Sequence, residues 1–82
     1  MSFKATGIII EIGDIKATKR GTAVQQIHFE QENGQIIYPS AIGPKVEILE
    51  NFLPGDVVEL EFYINGSKGV YNNVMIEKVS LI

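Results

Sequence analysis

The chain has no cysteine and no tryptophan, one histidine, and fewer cations than anions, with seven Lys and Arg against ten Asp and Glu in 82 residues and a formal net charge of −3. Without cysteine there is neither a disulfide nor a thiolate metal site, which suits a reducing compartment without demanding one. A lone imidazole, His28, with no carboxylate pair beside it makes a poor metal ligand set, so no metal and no cofactor is expected. The longest early apolar run is Ile8-Ile9-Ile10, too short for a secretion signal or a membrane span. A soluble, cytoplasmic protein with no membrane partner is expected. The shortage of basic residues counts against broad phosphate binding, which normally shows as a basic surface.

What is present is enough apolar material for one core. At 82 residues the chain is one domain, 1–82, near the size where burial only just outweighs chain entropy. Its hydrophobic content of 45% against 21% charged residues rules out a disordered composition. Phe3–Gly13 reads as a long first strand with Lys4, Thr6, Ile8, Ile10 and Ile12 on one face and Ala5, Gly7, Ile9 and Glu11 on the other, Gly7 being a plausible bend. Asp14–Thr22 breaks the alternation and reads as a mobile loop. Ala23–Glu32 places Ile27 and Phe29 opposite Val24, Gln26, His28 and Glu30, and Asn33-Gly34 suits a two-residue hairpin turn in which both residues take positive φ.

Gln35–Ile42 is a third strand with Ile37, Pro39 and Ala41 inward and Ile36, Tyr38, Ser40 and Ile42 outward. Pro39 lacks an N–H, so this strand is irregular or an edge there. Pro44–Phe52 forms one short helix with Val46, Leu49 and Phe52 or Leu53 at three-residue spacing and its acidic side chains in water. Val57–Asn65 alternates Val58, Leu60, Phe62 and Ile64 with Val57, Glu59, Glu61 and Tyr63. A loop Asn65–Gly69 and a last strand Val74–Ile82 follow, with Val70–Asn73 the outgoing side of that loop. The fold class is therefore all-β with one short helix in the order β-β-β-α-β-β, the order of a five-stranded OB-fold barrel.

The segment Ile42-Gly43-Pro44-Lys45 entering the helix and Asn51-Phe52-Leu53-Pro54-Gly55-Asp56-Val57-Val58-Glu59-Leu60 leaving it resemble the small single-domain OB-fold proteins of the single-stranded-DNA-binding type, and the likeness spans the whole chain. In such proteins the outer face of strands two and three and the loops joining strands one to two and four to five carry the ligand. By position, the resemblance implies nucleic-acid contacts at Lys16, Lys19, Arg20 and Thr22 in the first loop, Gln26 and His28 on strand two, Tyr38 and Ser40 on strand three, and Lys68, Tyr71 and Asn72 in the last loop. Tyr38 and Tyr71 would stack bases, and Lys16, Lys19, Arg20 and Lys68 would meet phosphates. The equally ordinary alternatives are a cross-strand packing role for Tyr38 and a merely solvated loop for the cations.

Glu30 with Glu32, and Glu59 with Glu61, share strand faces, but nothing suggests a pocket around either pair. Gly66-Ser67-Lys68-Gly69 lacks the spacing of a phosphate loop and precedes a strand. No enzyme, no catalytic residue and no small-molecule substrate are expected. Two functions fit: binding of single-stranded nucleic acid, DNA before RNA, with little sequence specificity, or an OB-fold module for protein–protein contact or homo-oligomerisation. The cluster of Lys16, Lys19 and Arg20 favours the first, and the negative net charge favours the second.

Overall fold

Gly7 is where the first strand changes partner. In the computed structural model, which describes residues 2–67 and 71–82 (for 67, 71 and 72 the backbone alone), β1 (Phe3–Ile12) runs antiparallel to β6 (Val57–Ser67) over Phe3–Ile8 and to β3 (Ala23–Gln31) over Gly7–Ile12. A Cβ at Gly7 would lie 2.1 Å from the backbone oxygen of Glu30, so only glycine allows the two strands to come this close. Three residues later the register slips: Ile9 faces Phe29 but Glu11 faces His28, leaving Ile10 as the extra residue of a β-bulge. Close approach and bulge together wrap β1 over both halves of one sheet.

The remaining pairings close the ring. The sheet runs β1-β6-β7-β5-β3 and returns to β1, where β5 is Ser40–Ile42 and β7 is Tyr71–Leu81. Its one parallel pairing joins β5 to β7 at Ser40 and Met75. With the short β4 (Ile36–Ile37) as the first half of the third strand, this is the five-stranded OB-fold barrel expected from the sequence. Pro39 divides β4 from β5 and is fully buried, its carbonyl accepting from the Ile27 N–H at 2.9 Å. Inside lie Ile9, Ile27, Phe29, Val58, Leu60 and Ile76, each at most 1% exposed. Each contributes roughly 1.5–3 kcal/mol by leaving water.

The helix spans Gly43–Asn51, a residue earlier than expected, and is a 3-10 helix. At 3.0 residues per turn, positions three apart eclipse. That is the spacing of Val46 and Leu49, both buried, with Phe52 half-buried just past the end. The helix packs against β3, β5 and β7 and covers one end of the barrel. Lys45 pins it by donating to Glu77 Oε2 at 2.7 Å and lying 5.5 Å from the centroid of the Tyr63 ring. The hydrogen bond to Glu77 holds the Lys45 ammonium above the usual lysine pKa.

Three expectations need correction. Asp14–Thr22 is not a featureless loop: β2 (Lys16–Ala17) pairs with β3, and Thr18 and Thr22 close a tight hairpin around Lys19-Arg20-Gly21. The Asn33-Gly34 turn is a three-residue loop in which Gly34 N–H bonds the Gln31 carbonyl; Gly34 has φ +86° and Asn33 keeps negative φ. Both hairpins place glycine in the left-handed position after a type I turn, Gly21 with φ +82°, which is the geometry of a three-residue hairpin loop. Finally, β6 reaches Ser67 and β7 starts at Tyr71, so the backbone of Tyr71 and Asn72 belongs to a strand, paired with Ser67 and Gly66, rather than to a loop.

Gly7→Ala should destabilise the barrel by roughly 3 kcal/mol, the upper part of the range for an inserted methyl group, because the atoms it meets are backbone. Chemical denaturation monitored by circular dichroism would measure this, and a loss under about 0.5 kcal/mol would mean that β1 and β3 do not approach as described.

Candidate nucleic-acid interface

The outward positions of β3 follow from its alternation. With Ile27 and Phe29 in the core, Gln26 and His28 must face out, and Lys16 and Ser40 stand beside this strand as partners of Val24 and Gln26. Tyr38 lies between β4 and β5 just ahead of the Pro39 break, and the residue is 55% exposed. The Tyr38 and His28 rings pack at 4.9 Å between centroids and 38° between planes. Gln26 Nε2 donates to the Tyr38 carbonyl at 3.2 Å, fixing the backbone under that ring.

These side chains border a groove made of two adjoining depressions that share Gly13 and Gln26. One, of about 190 Å³, is lined also by Glu11, Ile27, His28 and Tyr38. The other, of about 330 Å³, is lined also by Asp14, Lys16, Val24 and Ser40. Gly13 can line both because its N–H binds the Gln26 carbonyl at 2.9 Å, a contact that leaves a Cβ at Gly13 only 2.9 Å from that same oxygen. His28 Nε2 is buried with no hydrogen-bond partner.

The structure thus brings together Lys16, Gln26, His28, Tyr38 and Ser40 of the residues picked out from the sequence. Lys19 and Arg20 do not line the groove. They are exposed at the tip of the β2–β3 hairpin, three and four residues past Lys16. Thr22 is a turn-forming residue: its N–H donates to Thr18 Oγ1 at 3.2 Å and its carbonyl accepts from the Thr18 N–H at 2.9 Å. Lys68 and the side chains of Tyr71 and Asn72 lie outside the described residues. Among the described residues the ion pair is Lys45–Glu77, so Lys16, Lys19 and Arg20 keep their charge for a ligand.

Sequence reasoning missed Glu11 and Asp14. Strict alternation placed Glu11 on the face of Ile9, yet the bulge at Ile10 turns Glu11 outward beside His28 and sends Ile12 toward the core. A bulge leaves no reliable mark in a single sequence, although a glutamate in phase with core isoleucines was itself a discordant sign. Beyond His28 the next outward residue is Glu30, so the groove is cationic at its hairpin end and acidic at the other.

A separate row of exposed apolar side chains crosses the barrel: Val57 beside Ile8, Ile8 beside Glu30, and Glu30 beside Ile36. Ile82 extends it, its N–H bonded to the Val57 carbonyl at 3.3 Å. All four hydrophobic members are at least 43% exposed.

No family model and no curated protein sequence matches the chain. Among solved structures it is similar to two of the protein priB from Ralstonia solanacearum. One, at 2.3 Å resolution, has a TM-score of 0.75 at 12% identity and covers 99% of this chain and 97% of that chain. The other, at 1.8 Å, has a TM-score of 0.73 at 12% identity and covers 98% and 95%. The likeness extends over nearly the full length of both and concerns the barrel alone.

Because Tyr38 is largely exposed, Tyr38→Ala should change stability by only about 1 kcal/mol, the scale of one aromatic pair. It should also displace the ring-proton resonances of His28, the only histidine, since they lose the tyrosine ring current. Unmoved His28 resonances would show that the two rings are not stacked in solution.

Proposed function

We propose that this protein is a binding module for single-stranded nucleic acid, DNA before RNA, acting in the cytoplasm with little sequence specificity and no catalytic chemistry. The observation that carries this reading is the Tyr38–His28 pair set in a groove on the outer face of strands two and three, with Lys16 in that groove and Lys19 and Arg20 leading into it. That face and the adjoining first loop are where OB-folds bind oligonucleotides. The preference for DNA rests on the resemblance of the chain to small OB-fold proteins of the single-stranded-DNA-binding type.

The mechanism follows from two separate needs of a single strand. A base needs an apolar π-face, which Tyr38 supplies, and the backbone needs cations at intervals, which Lys16 supplies in the groove and Lys19 and Arg20 at the hairpin tip leading into it. Stacking is indifferent to base identity because every base has a π-face. Three cations give modest affinity with a clear salt dependence.

The second reading is an OB-fold contact module that joins another protein or a second copy of itself, and the row Ile82, Val57, Ile8 and Ile36 favours it. The two readings use different parts of the surface.

Fluorescence anisotropy with a labelled oligo-dT across a salt series tests the first. The logarithm of affinity should fall against the logarithm of salt with a slope of about −2, from three phosphate contacts on a single strand. Lys19→Ala with Arg20→Ala should flatten that slope by about 1.4. Tyr38→Ala should weaken binding about tenfold, as loss of one stacked base requires. Absence of binding even at low salt overturns the proposal in favour of the contact module, for which sedimentation at several concentrations reads self-association directly.

A further inference from the structure

We infer that the smaller depression, between Glu11, Gln26, His28 and Tyr38, is a subsite for one nucleobase bearing an exocyclic amino group, with the Glu11 carboxylate as the acceptor that selects it. This deepens the nucleic-acid reading and rests on it. It adds a preference at one step of an otherwise sequence-tolerant strand.

Charge decides which part of a nucleotide enters. The two depressions hold the carboxylates of Glu11 and Asp14 against the single cation Lys16, and among the described residues neither carboxylate is neutralised by an ion pair. A phosphate beside Glu11 would meet like charge at close range, which opposes its entry. The phosphates are therefore left to Lys16 and the exposed hairpin cations, and the base turns inward onto the Tyr38 ring. A cavity of about 190 Å³ open at the surface admits the edge of a base stacked on that ring.

Hydrogen-bonding capacity decides which base. A carboxylate only accepts; Gln26 gives one of its two amide N–H groups to the Tyr38 carbonyl, and its second N–H and the unpartnered His28 Nε2 are neutral groups beside it. The charged group beside the aromatic pair is an acceptor, and a hydrogen bond to it is stronger than one to either neutral group, so the base held best brings a donor. Cytosine, adenine and guanine each bring an amino group, and in guanine the neighbouring ring N–H makes a second donor. Thymine and uracil present carbonyl oxygens on both sides of their one ring N–H, and those oxygens would face the carboxylate. The same logic pairs glutamate and aspartate with the cytosine amino group in duplex recognition.

The test compares oligo-dC with oligo-dT of equal length at one low salt concentration, by anisotropy, for the unaltered chain, Glu11→Ala and Asp14→Ala. The unaltered chain should bind oligo-dC about tenfold more tightly. Glu11→Ala should bring the ratio close to one. Asp14→Ala, which removes the same charge from the neighbouring depression, should tighten both oligonucleotides and keep the ratio. Equal binding of dC and dT by the unaltered chain, or a ratio that survives Glu11→Ala, overturns the subsite while leaving single-strand binding intact. Failure of both oligonucleotides to bind overturns both.

Discussion

The close passage of β1 over β3 at Gly7 is the constraint on which the rest of this barrel depends. One strand must serve as neighbour to β6 for its first half and to β3 for its second, and the exchange happens over two residues, Gly7 and Ile8, that appear in both registers. With any side chain at Gly7 the Glu30 carbonyl would have to retreat, and the ladder from Gly7 to Ile12 would open. That ladder closes the ring, and the ring encloses Ile9, Phe29, Ile27 and Leu60. The turn after the helix relies on it too: Ile9 exchanges backbone hydrogen bonds with Asp56 and Gly55 at 3.0 and 2.6 Å, joining the exit of the helix to the middle of β1. In a chain this small there is no second core to compensate if that junction loosens.

The same junction shapes the groove. The bulge at Ile10 lies three residues past the close approach at Gly7, and its effect is to reverse the phase of β1 from that point on. Glu11 thereby reaches the outer face next to His28, and Gly13 comes to the shared floor of the two depressions. Pro39 acts in a similar way on the opposite bank. By breaking the third strand it frees Tyr38 from a ladder position, while its own buried ring holds that stretch down against the core. A glycine contact, a bulge and a proline, none of which touches the candidate ligand, set the positions of the side chains that would.

Much of this was legible from residue patterns, and the failures have definite causes. Alternation over Ala23–Glu32 and Val57–Asn65 identified Ile27, Phe29, Val58 and Leu60 as core because each strand has one apolar face. The irregularity at Pro39 followed from its missing N–H, and Gly7 as a bend followed from its lack of a Cβ. Glu11 was misassigned because period-two reasoning carries no information about where a residue is inserted. The hairpin at Thr18–Thr22 was hidden for a different reason: its stability comes from Thr18 accepting two backbone N–H groups and from pairing with β3, both tertiary or side-chain effects outside strand periodicity. The helix type was not legible, because Val46, Leu49 and Phe52 repeat every three residues while Ile48 and Phe52, and Leu49 and Leu53, are four apart, a pattern that fits a 3-10 and an α-helix alike.

A negative net charge opposes the polyanion partner proposed above, and the geometry shows how far that opposition reaches. Glu47 and Glu50 sit on the exposed side of the helix at one end of the barrel, and Glu59 and Glu61 on β6, which is separated from β3 by β1 on one side and by β7 and β5 on the other. The molecule measures 34 × 28 × 19 Å, while charges in physiological salt are screened over about 8 Å. The acidic wall is therefore largely invisible to a strand lying across β3, β4 and β5, and what that strand meets is local: Lys16, Lys19 and Arg20 before it, Glu11 and Asp14 beneath it, Glu30 beyond. In the proposed mode, cations outside and carboxylates within would sort a nucleotide into its two halves, phosphate to the rim and base to the floor. Screening also limits how much three exposed cations can add, so on the proposed reading the quality of the stacked contact at Tyr38, rather than net charge, would decide whether a strand is held at all.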